Sequence, residues 1–185
     1  MPALEIKKMK EKMERAVEHL KKELLGIRTG RAHPALVSDI KVDYYGTPTP
    51  MSQVGTISTP DARQIVITLW DKTAVKAVEK AIQASSLGIN PMVDGENVRL
   101  NIPELTGERR VELSKVVKKY AEEARVAVRN LRRDSNDTFR KMEKDGSLSE
   151  DSMHDSLDSI QKATDEFIKK IDEITALKEK EILED

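Results

Sequence analysis

Cysteine is absent from the 185 residues, which excludes disulfides, thiolate nucleophiles and cysteine-bound metals. Aromatic residues make up only 3% and leave little for bases to stack on. No glycine-rich phosphate loop occurs, neither GxGxxG nor GxxxxGK[ST]. The three histidines, His19, His33 and His154, lie far apart and form no HExxH. Asp94-Gly95-Glu96 lacks the ligand spacing of a calcium loop. No nucleophile–base arrangement stands out. No metal, cofactor or enzymatic activity is therefore expected. Met1 to Lys7 alternates acid and base, and no apolar run approaches membrane length. A soluble, cytoplasmic chain without membrane partners is expected.

No excess of charge exists either: the formal net charge is −1, although 35% of residues are charged. The signs are segregated. Ser149 to Asp185 carries twelve acids and five bases, whereas Arg109 to Arg133 carries nine bases and three acids, Glu112, Glu122 and Glu123. That second stretch belongs to Thr106–Lys144, which contains no proline. Leu113, Val117, Tyr120, Ala124, Leu131, Thr138 and Met142 recur there at helical steps and predict a buried face. Lys115, Lys118, Arg125, Arg129, Arg132, Arg133 and Arg140 fall on the other side of the wheel, with Glu122 interrupting them. A charged helix face is most often only a solvated one. Arginine, however, suits planar, bidentate contact with phosphate, and nearby acids are sparse. The arginine of this face is expected to meet phosphate.

Leu4 to Arg28 reads as a first helix with Ile6, Met9, Met13, Ala16, Leu20 and Ile27 inward. Gly30 and Pro34 end it. The period then changes to two at Ile40, Val42 and Tyr44, a half-buried strand. Gly46 to Pro50 reads as a turn or extended corner, Thr56 to Ser58 as a short strand, and Gln64 to Trp70 as a stronger one. Asp71 is placed to cap a helix from Lys72 to about Ser86. Asn97 to Ile102 is the last strand before Pro103. After the long helix, Ser147 with Glu150 resembles a capping box for a final helix. Met153, Leu157, Ile160, Thr164, Phe167, Ile171 and Ile174 step 4-3-4-3-4-3 along it, a heptad-like seam.

The fold class expected is α+β. Residues 1–29 and 106–185 form a long antiparallel three-helix bundle, and residues 30–105 a small inserted β/α domain, β-sandwich-like. The chain crosses between them at Thr29–Pro34 and Pro103–Gly107. Gly30, Arg31, Pro34, Pro103 and Gly107 are the candidate hinge residues of this double connection.

Several motifs, in order, resemble those of the ribosome recycling factor family. They are Ile27-Arg28-Thr29-Gly30-Arg31-Ala32-His33-Pro34, Tyr44-Tyr45-Gly46-Thr47-Pro48-Thr49-Pro50, Glu79-Lys80-Ala81-Ile82 and Leu87-Gly88-Ile89-Asn90-Pro91. Arg109-Arg110 and Glu123-Ala124-Arg125-Val126-Ala127-Val128-Arg129-Asn130-Leu131-Arg132-Arg133-Asp134 complete the set. Family patterns often have a small residue where His33 stands, so no role is given to it. The resemblance implies an L-shaped monomer that binds the post-termination ribosome and, with elongation factor G and GTP, splits it into subunits. It implies that Arg110, Arg129 and Arg132 lie on RNA of the large ribosomal subunit. Arg125 and Arg133 of the same face, and Arg28 of the junction motif, complete the candidate set. Recognition of folded RNA by shape needs no aromatic platform. Two other classes compete with this reading: a coiled-coil adaptor using the seams on a partner helix, and a hydrolase built on the insert.

Overall fold

The computed structural model describes residues 1–184. Four helices and six strands follow in the order α1 (Pro2–Leu25), β1 (Lys41–Tyr44), β2 (Thr47–Pro50), β3 (Gly55–Asp61), β4 (Gln64–Leu69), α2 (Val75–Ala84), β5 (Met92–Asp94), β6 (Asn97–Asn101), α3 (Gly107–Lys144) and α4 (Glu150–Leu183). The chain forms two compact units, one from Met1–Leu24 with Arg110–Glu184 and one from Leu25–Arg109. The class is α+β.

The first unit is a bundle of α1, α3 and α4. Arg125 of α3 pairs with Asp172 of α4, while Arg132 further along α3 reaches Gln161, earlier on α4. The two helices therefore run antiparallel. Buried positions are Met9, Met13, Val17, Leu20 and Leu24 on α1, and Leu113, Val117, Ala121, Ala124, Val128 and Phe139 on α3. On α4, Met153, Ser156, Ile160, Ala163, Thr164, Phe167, Ile171, Thr175 and Ile182 are buried, so Met153, Ile160, Thr164, Phe167 and Ile171 of the expected seam are in the core. All three helices thus share 4-4-3 spacing instead of the expected 4-3. An eleven-residue repeat gives about 3.67 residues per turn, close to a straight α-helix and opposite in sense to a left-handed coiled coil. The seam of α3 consequently passes through Ala121, Val128 and Phe139, and Thr138 is exposed. On α1, Val17 replaces Ala16 in the core. The two buried threonines and Ser156 return their hydroxyls to the carbonyl four residues back, so each polar group is satisfied inside its own helix.

The helix ends are set locally. Thr106 Oγ1 accepts the Arg109 amide and starts α3. Ser149, not Ser147, caps α4 by accepting the Ser152 amide. Ser147 instead satisfies Asp145 in the turn before it, next to Gly146 at φ +80°.

The second unit has two antiparallel sheets, a β1–β2 ribbon and a four-stranded sheet ordered β3-β4-β6-β5. Val42, Met51, Ile65, Ile67, Leu69, Val78, Ile82, Val98 and Leu100 fill its core, which α2 covers. Gly46–Pro50, expected as a turn, is the turn and the second strand together. Tyr45 and Gly46 both take positive φ, the hairpin geometry whose twist matches the strands. Both tyrosine hydroxyls donate to Asp71 Oδ2, at 3.0 Å from Tyr44 and 3.1 Å from Tyr45. Asp71 Oδ1 caps the turn that leads into α2 by accepting the Thr73 amide and hydroxyl. β5 gave no sequence signal, because its three residues are all exposed and alternate nothing.

The second unit takes in residues 25–29 and 106–109, which the sequence placed with the helices. Ile27, Thr29 and Leu105 are buried. A Cβ added at Gly30 would lie 3.5 Å from the Leu105 side chain, and Gly30 itself takes φ +81°. Pro34 opens a short 3-10 turn capped by His33 Nδ1, and Gly107 is the first residue of α3.

Candidate nucleic-acid interface

The cationic face of α3 exists, but its arginines are committed to different degrees. Arg125 is largely enclosed, with its side chain 23% exposed. Its Nε donates to Asp172 Oδ1 at 2.9 Å and its Nη1 to Glu122 Oε2 at 3.2 Å. Burial works against its charge, but the hydrogen bonds it donates to Asp172 and Glu122, with their negative charge, prevail and raise its pKa. Arg125 is therefore a strut between α3 and α4 rather than an open cation. Arg129, one turn on, is 40% exposed and donates to the other oxygen of Glu122 at 3.2 Å.

Arg132 differs from the solvent-facing position expected for it. It is half-buried, and its guanidinium reaches Gln161 Oε1 at 3.4 Å across the helix pair. The 4-4-3 spacing explains this, since Val128 plus four lands on Arg132 at the rim of the seam. Leu131, expected on the seam, is likewise only half-buried. Arg133 is exposed and has no hydrogen-bonded or ion-paired partner among the described residues. Arg110 lies at the end of the same stripe and donates to the carbonyl of Leu183, in the last turn of α4. That carbonyl would otherwise lack a partner.

Arg28 belongs to the second unit. Its Nη1 donates to the Leu87 carbonyl at 3.1 Å, tying Arg28 of the first junction motif to Leu87 of the Leu87–Pro91 motif. Sequence periodicity missed Asp172, Gln161 and Leu183 because they lie on another helix. Glu122 was visible as an interruption of the stripe, but not as the acceptor for two arginines. Among the described residues, no cluster of three or more His, Asp or Glu side chains is placed to hold a metal.

The face combines exposed guanidinium groups with a rigid backing helix. It has few aromatics, and it can contact phosphate without reading sequence. A family model described as ribosome recycling factor matches residues 20–183. The chain belongs to the ribosome recycling factor family. Relatives named ribosome-recycling factor include that of Geobacillus kaustophilus, 54% identical over 97% of each chain, and that of Bacillus subtilis, 53% identical over 95% of each. The solution structure of a ribosome recycling factor covers 100% of this chain and 98% of its own at 44% identity, with a TM-score of 0.82. A second similar structure, the T. thermophilus ribosome recycling factor described with E. coli elongation factor G on the E. coli post-termination complex, is 45% identical. It covers 99% of both chains with a TM-score of 0.69.

Proposed function

We propose that this recycling-factor chain binds the post-termination ribosome through the α3 face of its bundle. With elongation factor G and GTP, it then splits the ribosome into subunits. Near end-to-end membership of the family carries this reading. The chain itself is a translation factor and not an enzyme; the GTP hydrolysis belongs to elongation factor G. Arg129, Arg132 and Arg133 contact large-subunit RNA directly. Arg110 and Arg125 use spare donors there while holding α4, and Arg28 supports the insert. Gly30, Arg31, Pro34, Pro103 and Gly107 lie along the two connections at which the insert reorients during splitting. The chain acts as a cytoplasmic monomer, and among the described residues no helix is long and apolar enough to cross a membrane. The adaptor reading loses support because the helix seams are used up within the bundle.

Sedimentation of post-termination complexes tests this. Free subunits should accumulate only when the protein, elongation factor G and GTP are all present. Complexes that stay intact would refute the reading. Binding should also weaken steeply with salt, by about 0.7–0.9 in log affinity per log salt for each phosphate neutralised.

A further inference from the structure

The second unit carries a cationic groove that the α3 interface does not use. It lies between β1 and α2, is open, and has a volume of about 550 Å³. Lys41 and Asp43 line it from β1, Lys76 and Lys80 from α2, and Ala77 and Ala81 form its floor. Lys41 and Asp43 share a side because strand residues two apart face the same way, with Val42 between them buried. Lys76 and Lys80 are four apart, so they stand one above the other on a single helix face. Among the described residues, Lys41, Lys76 and Lys80 have no hydrogen-bonded or ion-paired partner. The groove therefore holds three uncompensated cations against a single carboxylate.

Its walls are fixed from below. Val42, Val78 and Ile82 are fully buried between β1 and α2, and the Asp71 cap on Thr73 sets the start of the helix. The lysines thus project from a preorganised surface, which lowers the ordering that binding must impose.

We infer that this β1–α2 groove binds the phosphate backbone of folded RNA, through Lys41, Lys76 and Lys80. The inference rests on the proposed ribosomal function, which brings the insert into an RNA-rich setting. Three uncompensated ammonium groups match a row of phosphates and act as point charges, without the planar fork that would select one geometry. Apart from the Thr73 hydroxyl, which already donates to Asp71 Oδ1, the uncharged lining offers only alanine methyl groups. It has no amide or guanidinium to read base edges and no aromatic ring to stack a base, so contact is with backbone alone. An acidic protein segment is the weaker occupant. Protein interfaces draw their affinity from large anchors seated in pockets, and a shallow alanine floor provides none.

The test uses the full chain and purified ribosomes. Lys76→Gln with Lys80→Gln changes two exposed side chains, and unfolding should be unaltered. Its log affinity against log salt should be shallower than the parent's by about 1.4–1.8, at 0.7–0.9 for each lost phosphate contact. The Lys76→Arg, Lys80→Arg variant should restore the parent slope, because charge and not shape is needed. A photo-cross-linking amino acid in place of exposed Ala84, at the end of the groove, should attach to RNA. A parent that binds ribosomes, with a double glutamine variant of equal affinity and slope, would overturn the groove assignment. Cross-links to protein only would overturn it in favour of an acidic protein partner. A parent that fails to bind ribosomes at all would instead sink the proposed function.

Discussion

Glu122 restrains Arg129: its Oε1 lies 3.2 Å from Arg129 Nη1, while its Oε2 lies 3.2 Å from Arg125 Nη1. One carboxylate therefore holds back part of the cationic face and places a negative charge where phosphate would come. Glu122→Gln keeps the shape and removes the charge. Exposed pairs are worth about 0.2–1 kcal/mol, so affinity for the large subunit should rise, by up to about fivefold. Subunit binding at fixed salt checks this. Unchanged or weaker binding would mean that Arg129 meets no phosphate.

Arg132→Ala separates anchoring from folding. The residue gives up one long bond to Gln161 and sits at the rim of the seam. Alanine is a strong helix former, so stability should change by no more than about 0.5 kcal/mol. Loss of a charge-assisted contact to phosphate should weaken binding by about 1.5–3 kcal/mol, roughly ten- to a hundredfold. Thermal unfolding and large-subunit binding of the same sample read the two effects. Early unfolding or undiminished binding would remove Arg132 from the interface.

The bundle core should respond in the opposite way. Ile171 is fully buried between helices, so Ile171→Ala should cost about 2–5 kcal/mol of stability. Leu131 is half-buried, and Leu131→Ala should fall below that range. Folded molecules of both variants should bind the subunit as the parent does. Denaturant unfolding gives the order, and an equal cost at the two sites would contradict the 4-4-3 seam.

Acid should loosen the insert. The Asp71 carboxyl accepts bonds from the Thr73 hydroxyl and amide and from the two tyrosines, which lower its pKa to about 2. The same contact, chiefly the hydrogen bond to Asp71, raises the pKa of Tyr44. A carboxyl depressed in the folded state stabilises fully above its ordinary value near 4 and loses that contribution as pH falls toward 2. Trp70 fluorescence during acid titration should show the insert weakening in that window. Asp71→Asn should start less stable and show a flatter dependence there. Parallel titrations of parent and variant would disprove the role of Asp71.

Gly30 takes φ +81° in the first connection, where a side chain costs roughly 1–2 kcal/mol. Space is not the obstacle, because Leu105 would sit at ordinary contact distance from an added Cβ. Gly30→Ala should therefore lower the stability of the insert by about that amount. Stability equal to the parent's would show that the connection relaxes to negative φ.

The sequence by itself determined the α+β class, the three long helices, the strands at Gln64–Leu69 and Asn97–Asn101, and the existence of an arginine-rich face on α3, whereas the β1–β2 hairpin and the strand order came only with the fold. The former features are local: periodicity, capping groups and helix-breaking residues act over a few positions, and each leaves its spacing in the chain. Only the tertiary structure decided which arginines are open. Arg125 is tied to Asp172, forty-seven positions away, and Arg110 to Leu183, seventy-three away, so neither partner lies within the reach of a helical wheel. The seam offset has the same origin. Tyr120 and Ala121 are adjacent and both apolar enough for burial, and the packing of three nearly straight helices selects Ala121 because the small side chain fits the interhelical space. The lysine groove also required folding, since Lys41 comes from a strand and Lys76 and Lys80 from a helix that only packing in the insert brings to one surface.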